Sequence, residues 1–130
     1  LNHVKRREWW RPFAPVCRAI DADKYFEGSC FSEYMLTSVH VREEYRGRFS
    51  AAAHEDGSAR LQIVPSREQN PLLWDVLTAF EAQTGIGVLI NTSYNIGGKP
   101  LLNRSSTAVS MIGPDGLDAA WVNGRLFQMI

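Results

Sequence analysis

The chain has 130 residues, of which 45% are hydrophobic, and its 14 Lys and Arg residues balance 14 Asp and Glu residues to a formal net charge of zero. This length and apolar content fit one domain with a conventional buried core. Zero net charge argues against a general electrostatic grip on DNA or RNA, and no apolar run approaches the roughly 18 residues of a membrane span.

The cysteine content indicates the cellular compartment, and the first residues indicate whether the chain is part of a longer protein. Cys17 and Cys30 are too few and too unpatterned to indicate a disulfide framework or a metal knuckle, so we expect reduced thiols in a cytoplasmic protein. Leu1 is not a start methionine, and a basic stretch follows almost at once. We therefore expect residues 1–130 to be one domain of a longer protein.

The first predicted strand is "APVCRAI", residues 14–20. Pro12 and Pro15 exclude a regular helix at this point, and the apolar run is short. "DADKYF" fits a single helical turn. "YMLTSVHV", residues 34–41, again has the composition of a strand.

A hairpin is predicted for "AAAHEDGSARLQIV", residues 51–64, with its turn at residues 55–58. Its return strand, residues 59–64, alternates between polar and apolar side chains. Arg60 would then lie in mid-strand, where a charged side chain points either outward or into a site. The outward arrangement is the simpler alternative.

The clearest helix starts at Pro71. Asn70 can cap it, proline suits the first helical position, and Gly85 suits its end. The spacing predicts an apolar stripe of Leu73, Val76, Leu77 and Phe80.

The last third of the chain predicts a strand at residues 87–90, a short helix in residues 105–113, and a hairpin whose turn is Asn123-Gly124. The whole chain then has five to seven strands and two or three helices in mixed order. This pattern favours an α/β fold, or an α+β fold, with helices on one side of a sheet.

Polar residues follow the predicted strand at residues 87–90. Asn91, Ser93 and Asn95 are followed by Gly97 and Gly98 in "NTSYNIGGKP". Such a segment can offer hydroxyl, amide and backbone N–H groups to a ligand. It can equally be a turn that satisfies its own polar groups, and it lacks the order of a P-loop.

The basic stretch "KRREWWRPFAPV", residues 5–16, allows several interpretations. Its cations can form a solvated face, or Trp9 and Trp10 can stack on nucleic acid bases. Arg11 differs from its neighbours because it precedes a proline on constrained, extended backbone, which can aim its guanidinium at an anion. Lys5 would add a compact positive charge.

The polar residues contain no metal-ligand spacing around the three histidines and no nucleophile motif. The chemistry that this set suggests is the handling of phosphates and nucleotides by positioning and charge neutralisation.

Four segments follow one another at a recognisable spacing: "VKRREWWRPFAP", "HEDGSARLQIV", "NPLLWDVLTAFEAQTGIGVLINTSYNIGGKP" and "GLDAAWVNGRLF". Together they resemble the C-terminal part of the O-carbamoyltransferases of nodulation-factor and antibiotic biosynthesis. The resemblance covers nearly the whole chain. It implies a YrdC-like domain, here partial, with a twisted mixed sheet and helices packed on it.

In that family the C-terminal domain is thought to convert carbamoyl phosphate and ATP, with Mg²⁺, into carbamoyl adenylate. A separate N-terminal, actin-like ATPase-type domain transfers the carbamoyl group to a hydroxyl, and the transferase-site metal is expected only there. By motif position, the resemblance implies that Lys5, Arg11 and Arg60 bind the anion and act in catalysis. It places the nucleotide at Ser93, with Asn91 and Asn95 as neighbours.

Two residues depart from the family pattern, since Tyr94 replaces a phenylalanine and Lys99 replaces an acid. Two other functions stay open. The chain could be a YrdC-like module that binds nucleotide or RNA without catalysis, or a structural piece that packs against a partner domain.

Overall fold

The computed structural model describes residues 1–28 and 32–129, and Cys30 therefore lies outside the described residues. They form two compact units. The terminal unit consists of Leu1–Arg11 and Ser93–Ile130, and the central unit is Pro12–Thr92. No helix in these ranges has the length and apolar character needed to cross a membrane.

The mixed α/β class is confirmed, although the described residues form three small sheets in place of one. The α-helices are α1 (Ala22–Tyr25), α2 (Pro71–Thr84) and α3 (Ser105–Val109). The strands are β1 (Ala14–Arg18), β2 (Phe26–Glu27), β3 (Val39–Val41), β4 (Ser58–Ala59), β5 (Gln62–Val64), β6 (Val88–Asn91), β7 (Ala119–Val122) and β8 (Arg125–Gln128).

The strand predicted at residues 14–20 forms β1, the middle strand of a sheet with the order β5-β1-β6. It runs parallel to β5 and antiparallel to β6. Pairing with β5 begins at Val16, so Pro15 pairs only with Ile90 of β6. The proline thus lies where β1 has one neighbour, and its missing N–H costs no bond to a second strand.

Helix α2 begins and ends as predicted. The Asn70 side chain accepts a hydrogen bond from the Leu73 N–H at 3.2 Å, and Gly85 ends the helix with φ at 77°. The predicted stripe is only partly buried, because Leu77 is fully buried whereas Val76 and Phe80 are 45% and 37% exposed. The helix packs against a narrow apolar patch of the sheet, formed by Val16, Val64 and Leu89.

The strand predicted at residues 34–41 is confirmed only for β3, which pairs with β2 and β4. An aromatic cluster fills the core beside this second sheet. Its rings meet edge-on or stacked, with centroids 5.0–6.4 Å apart; they belong to Tyr25, Phe26, Tyr45 and Phe49.

The hairpin predicted for residues 51–64 is wrong. β4 pairs with β3 and β5 pairs with β1, so the predicted return strand passes from one sheet to another. The change occurs at Arg60 and Leu61, where the leucine is 1% exposed and the arginine is exposed. Arg60 and Leu61 lie between the end of β4 and the start of β5, so Arg60 is not in mid-strand.

In the terminal unit, the predicted Asn123-Gly124 hairpin is confirmed. β7 and β8 pair in antiparallel register, and the two turn residues have φ values of 50° and 76°. Positive φ at both positions is what a two-residue turn of this twist requires. Helix α3 confirms the short helix, with Arg104 rather than a serine at its N-cap position.

Candidate functional site

Lys5 is the centre of the most connected polar cluster in the terminal unit. It is only 5% exposed. Its ammonium group donates to the Ser93 carbonyl, to the Asn95 carbonyl at 2.9 Å and to Asn95 Oδ1 at 3.2 Å. An ammonium has three N–H groups, so these oxygens account for all of its donors.

All three acceptors of Lys5 are uncharged. Among the described residues, no ion pair includes this lysine. Burial, and secondly the charge of Arg7, lower the pKa of the Lys5 ammonium below its ordinary value. The hydrogen bonds hold the cation in place, but no carboxylate of the described residues pairs with it.

Residues 93–99, here called the 93–99 loop, are organised around this ammonium. The Ser93 hydroxyl donates to Asn95 Oδ1 at 2.6 Å, and Asn95 Nδ2 donates to the Lys99 carbonyl at 2.7 Å. Ser93 is exposed and Asn95 is half-buried. The Asn95 side chain therefore links Lys5, Ser93 and the far end of the loop.

The backbone of the basic stretch also contacts this loop. The Gly97 N–H donates to the Lys5 carbonyl at 2.6 Å. A Cβ at position 97 would lie 2.6 Å from the Arg6 carbonyl oxygen, so only glycine fits. Arg6 itself has φ at 51°, an uncommon value for a residue with a side chain.

Sequence analysis missed the contact of Gly97 with the basic stretch. The consecutive glycines, Gly97 and Gly98, indicated that another part of the backbone could come close to this loop. The neighbouring residues do not indicate that this part is the basic stretch.

Arg11 lies in the same unit but differs from Lys5 in exposure. Its guanidinium Nη1 is 3.8 Å from Glu8 Oε2, and both side chains are more than half exposed. The Asn2 amide donates to the Trp9 carbonyl at 3.0 Å and to the Arg11 carbonyl at 2.9 Å. Asn2, which sequence analysis also missed, thus fixes the backbone that carries the Arg11 side chain.

Arg60 and Asn91 belong to the central unit. Arg60 is exposed, and the Asn91 amide donates to Gln62 Oε1 across β1. The structure therefore brings together Lys5, Ser93 and Asn95. The assignment of Arg60 and Asn91 to the same site stays a prediction.

The central unit contains a second buried cation that sequence analysis did not single out. Arg18, 7% exposed, donates through Nε to Asp21 at 2.5 Å, through Nη1 to Thr78 at 2.7 Å, and through Nη2 to Glu81. The hydrogen bond to Asp21 is the main cause that raises the pKa of Arg18, against the effect of burial. The local signal for this buried cation is that Arg18 ends an apolar strand and is followed by an acid, Asp21, three positions later.

Metal ligands and cysteine thiols are the two other kinds of group that could supply chemistry. In residues 1–28 and 32–129, no three His, Cys, Asp or Glu side chains lie close enough together to hold a metal ion. Cys17 is buried in β1, and burial is the main cause that raises the pKa of its thiol to about 12. That thiol is therefore protonated and unreactive at neutral pH.

Comparison with known proteins identifies a family. Residues 1–129 match the family model described as the carbamoyltransferase C-terminus. The chain is 42% identical to a 3'-hydroxymethylcephem-O-carbamoyltransferase of Amycolatopsis lactamdurans, over 98% of this chain and 24% of that protein. It is 41% identical to nodulation protein NolO of Bradyrhizobium diazoefficiens, over 96% of this chain and 23% of that protein.

A third relative is nodulation protein U of Rhizobium tropici, which is 37% identical over 98% of this chain and 21% of its own length. The chain thus spans about a quarter of the length of the curated relatives that it matches.

Proposed function

Since the chain belongs to the carbamoyltransferase C-terminal family, we propose that it binds carbamoyl phosphate and ATP and forms carbamoyl adenylate within an O-carbamoyltransferase. The observation that carries this proposal is the buried Lys5 ammonium, which has three uncharged oxygen partners and no carboxylate partner among the described residues. A cation of this kind creates a positive potential next to the 93–99 loop, and such a potential favours an anionic ligand.

The proposed reaction has two steps. Hydrolysis of carbamoyl phosphate releases inorganic phosphate and leaves carbamate. A carbamate oxygen then attacks the α-phosphorus of ATP, pyrophosphate leaves, and carbamoyl adenylate forms. Mg²⁺ enters with ATP as part of the substrate.

Charge neutralisation and positioning supply the catalysis in this proposal. Arg11 and Arg60 would neutralise phosphate oxygens with guanidinium groups, which can make two parallel hydrogen bonds. Ser93, Asn95 and Asn91 would fix the nucleotide. Groups that are oriented before the substrate arrives need no reorganisation during the reaction, which is why positioning lowers the barrier.

Transfer of the carbamoyl group would follow in another domain. By the family resemblance, an N-terminal, actin-like ATPase-type domain with its own metal would pass the group to a hydroxyl of a small molecule, in the cytoplasm. The exposed Trp9 and Trp10, 86% and 65% exposed, support a contact between this chain and such a domain. Large exposed aromatic side chains are typical of surfaces that bind another protein.

The test is the release of pyrophosphate from ATP by the purified protein, with and without carbamoyl phosphate. We expect release that depends on carbamoyl phosphate. Arg11→Ala should weaken carbamoyl phosphate binding by about ten- to a hundred-fold, because it removes a charge-assisted contact.

Arg6→Ala is the matched control, since Arg6 is also an exposed arginine of the basic stretch. It should change binding by less than about twofold. Equal losses in the two variants would indicate diffuse electrostatic attraction and would contradict a defined site. The absence of any carbamoyl phosphate effect on pyrophosphate release would contradict the proposed adenylation.

A further inference from the structure

We infer that Asn2 is a positioning residue for the anion site: its side-chain amide holds the backbone that carries Arg11, so that the guanidinium is oriented before an anion arrives. Arg11 keeps its direct contact with the anion, and Asn2 acts only through Arg11. The inference rests on the proposed function for the role of Arg11 as an anion ligand. The part that concerns the backbone can be tested with no ligand present.

The first argument is how Asn2 uses its side chain. An asparagine amide has two N–H donors. Asn2 Nδ2 donates to the Trp9 carbonyl at 3.0 Å and to the Arg11 carbonyl at 2.9 Å, so both donors are used on the main chain. Since a carbonyl oxygen only accepts, Nδ2 must face both carbonyls, and the orientation of the amide is fixed. One side chain thus joins two main-chain positions on either side of Trp10.

The second argument is that the side chains of this segment are poor anchors. Trp9 and Trp10 are exposed, and the Arg11 side chain is more than half exposed beside Glu8. The Arg11 N–H donates to the Glu8 carbonyl at 3.3 Å, a long hydrogen bond that closes a turn over residues 8–11. Exposed side chains contribute little packing, so we expect the two shorter bonds from the Asn2 amide to restrain this turn most.

The third argument is that Asn2 is itself held by the main chain. Its carbonyl accepts from the Arg7 N–H at 3.1 Å. The Arg6 N–H donates to the His3 carbonyl at 2.9 Å, and Arg6 has φ at 51°. Two such bonds around a left-handed residue form the Schellman arrangement of a helix end. Asn2 is therefore a fixed point from which its amide can hold the turn.

The position of the backbone decides where the Arg11 side chain starts. The proline that follows favours extended backbone at Arg11, and the Asn2 amide fixes the Arg11 carbonyl. An arginine on a mobile turn would have to be ordered when the anion binds, which weakens binding. An arginine that is already oriented avoids most of this loss.

The first experiment measures ¹⁵N relaxation order parameters of the backbone amides in the ligand-free protein. Asn2→Leu keeps the shape of the side chain and the main-chain carbonyl, but removes both donors. We expect the order parameter of Arg11 to fall from about 0.85 to below about 0.6, the values of rigid and flexible backbone. Arg7 should stay ordered, since its N–H bonds to the main-chain carbonyl of residue 2. An unchanged order parameter at Arg11 would overturn the inference.

His3→Leu is the matched control, because His3 is the exposed neighbour of Asn2. It should leave Arg11 ordered. Equal loss of order in Asn2→Leu and His3→Leu would show that any apolar substitution disturbs the turn, and the Asn2 donors would then have no special role.

Asn2→Asp keeps the inference testable if Asn2→Leu does not fold. A carboxylate has nearly the same shape as the amide but no donor at neutral pH. The Arg11 amide should therefore become mobile in this variant too. If Arg11 stays as ordered as in the unaltered protein, the donors of Asn2 are not needed and the inference fails.

The second experiment is a double-mutant cycle on carbamoyl phosphate affinity, measured by calorimetry. Asn2→Leu should weaken binding about three- to tenfold, because the anion must then order a mobile arginine. In an Arg11→Ala background the same change should add less than about twofold, whereas in an Arg60→Ala background it should keep its full effect. A loss of the same size in every background would indicate a structural effect that does not pass through Arg11, contrary to the inference.

The two experiments separate failure of the inference from failure of the proposed function. If the protein binds no carbamoyl phosphate at all, the proposed function fails, and the order parameter of Arg11 still decides whether Asn2 holds the backbone. If carbamoyl phosphate binds but Arg11→Ala leaves the affinity unchanged, Arg11 is not the ligand and the inference is overturned.

Discussion

Among its described residues, each of the two units contains one nearly buried cation, and the two cations have opposite surroundings. Lys5 and Arg18 are 5% and 7% exposed. Arg18 faces the carboxylates of Asp21 and Glu81, which cancel its charge. In the part of the chain that the structure describes, the Lys5 ammonium meets carbonyl and amide oxygens and no carboxylate.

The different partners shift the pKa values of Arg18 and Lys5 in opposite directions and indicate different roles for the two residues. The hydrogen bond to Asp21 is the leading cause that raises the pKa of Arg18, whereas burial lowers the pKa of Lys5. A buried cation with carboxylate partners is electrostatically complete and joins the elements that supply them, here β1 and α2. A buried cation without them leaves positive charge available, which is expected where an anion binds. Burial of a charge is therefore not by itself a functional signal, and the charge of its partners decides.

The largest expected effect comes from breaking the Arg18 cluster. Arg18→Met leaves Asp21 without its cation and Glu81 with Lys24 alone. Removal of one partner of a buried pair costs about 3–5 kcal/mol of unfolding free energy. Urea denaturation measures this loss. Arg67→Met is the control, because the Arg67–Asp75 pair is more than half exposed and such pairs contribute about 0–1 kcal/mol. Equal losses in the two variants would show that burial of the Arg18 cluster has no energetic consequence.

A smaller effect is expected at the Lys5 side of the comparison. Gly97→Ala places a Cβ 2.6 Å from the Arg6 carbonyl oxygen, so the loop must move, at a cost of about 1–3 kcal/mol. Gly113→Ala is matched within the same unit, since a Cβ there has no neighbour within 4 Å, and it should change stability by less than about 0.5 kcal/mol. Thermal unfolding compares the two variants. A neutral Gly97→Ala would mean that the loop does not need its contact with the basic stretch.

The smallest effect is a dependence of stability on acid pH at Glu81, one of the carboxylate partners of Arg18. Burial opposes ionisation of Glu81, but the hydrogen bond from Lys24 and the charges of Arg18 and Lys24 lower its pKa below the ordinary 4.5. The unfolded state therefore binds more protons than the folded state in this range. Stability contributed by Glu81 is present above pH 4.5 and is lost as the pH falls through the folded-state pKa.

Urea midpoints at pH 7 and pH 3 check this dependence. Glu81→Gln should lose less stability than the unaltered protein on acidification, because it lacks the carboxylate that must be protonated. Identical acid sensitivity of the two proteins would place the titrating carboxylates elsewhere.

The sequence by itself determined the elements whose signals lie within a few residues. Asn70, Pro71 and Gly85 specify the two ends of α2, and Asn123-Gly124 specifies the turn of the β7–β8 hairpin. In each case a cap, a fixed φ or a positive φ is a property of the residue and its immediate neighbours. The family resemblance also rests on such short segments, which is why nearly the whole chain could be assigned from them.

Only the tertiary structure decided which segments meet. Sequence analysis predicted β4 and β5 as one strand because polar and apolar residues alternate through Arg60. The sequence of a strand does not specify which strand it pairs with. Here the pairing partner changes between β4, which pairs with β3, and β5, which pairs with β1. The Lys5 ammonium meets Ser93 across 88 positions, and Arg18 meets Glu81 across 63. No local pattern shows that these two side chains are buried, because burial arises only when distant parts of the chain pack together.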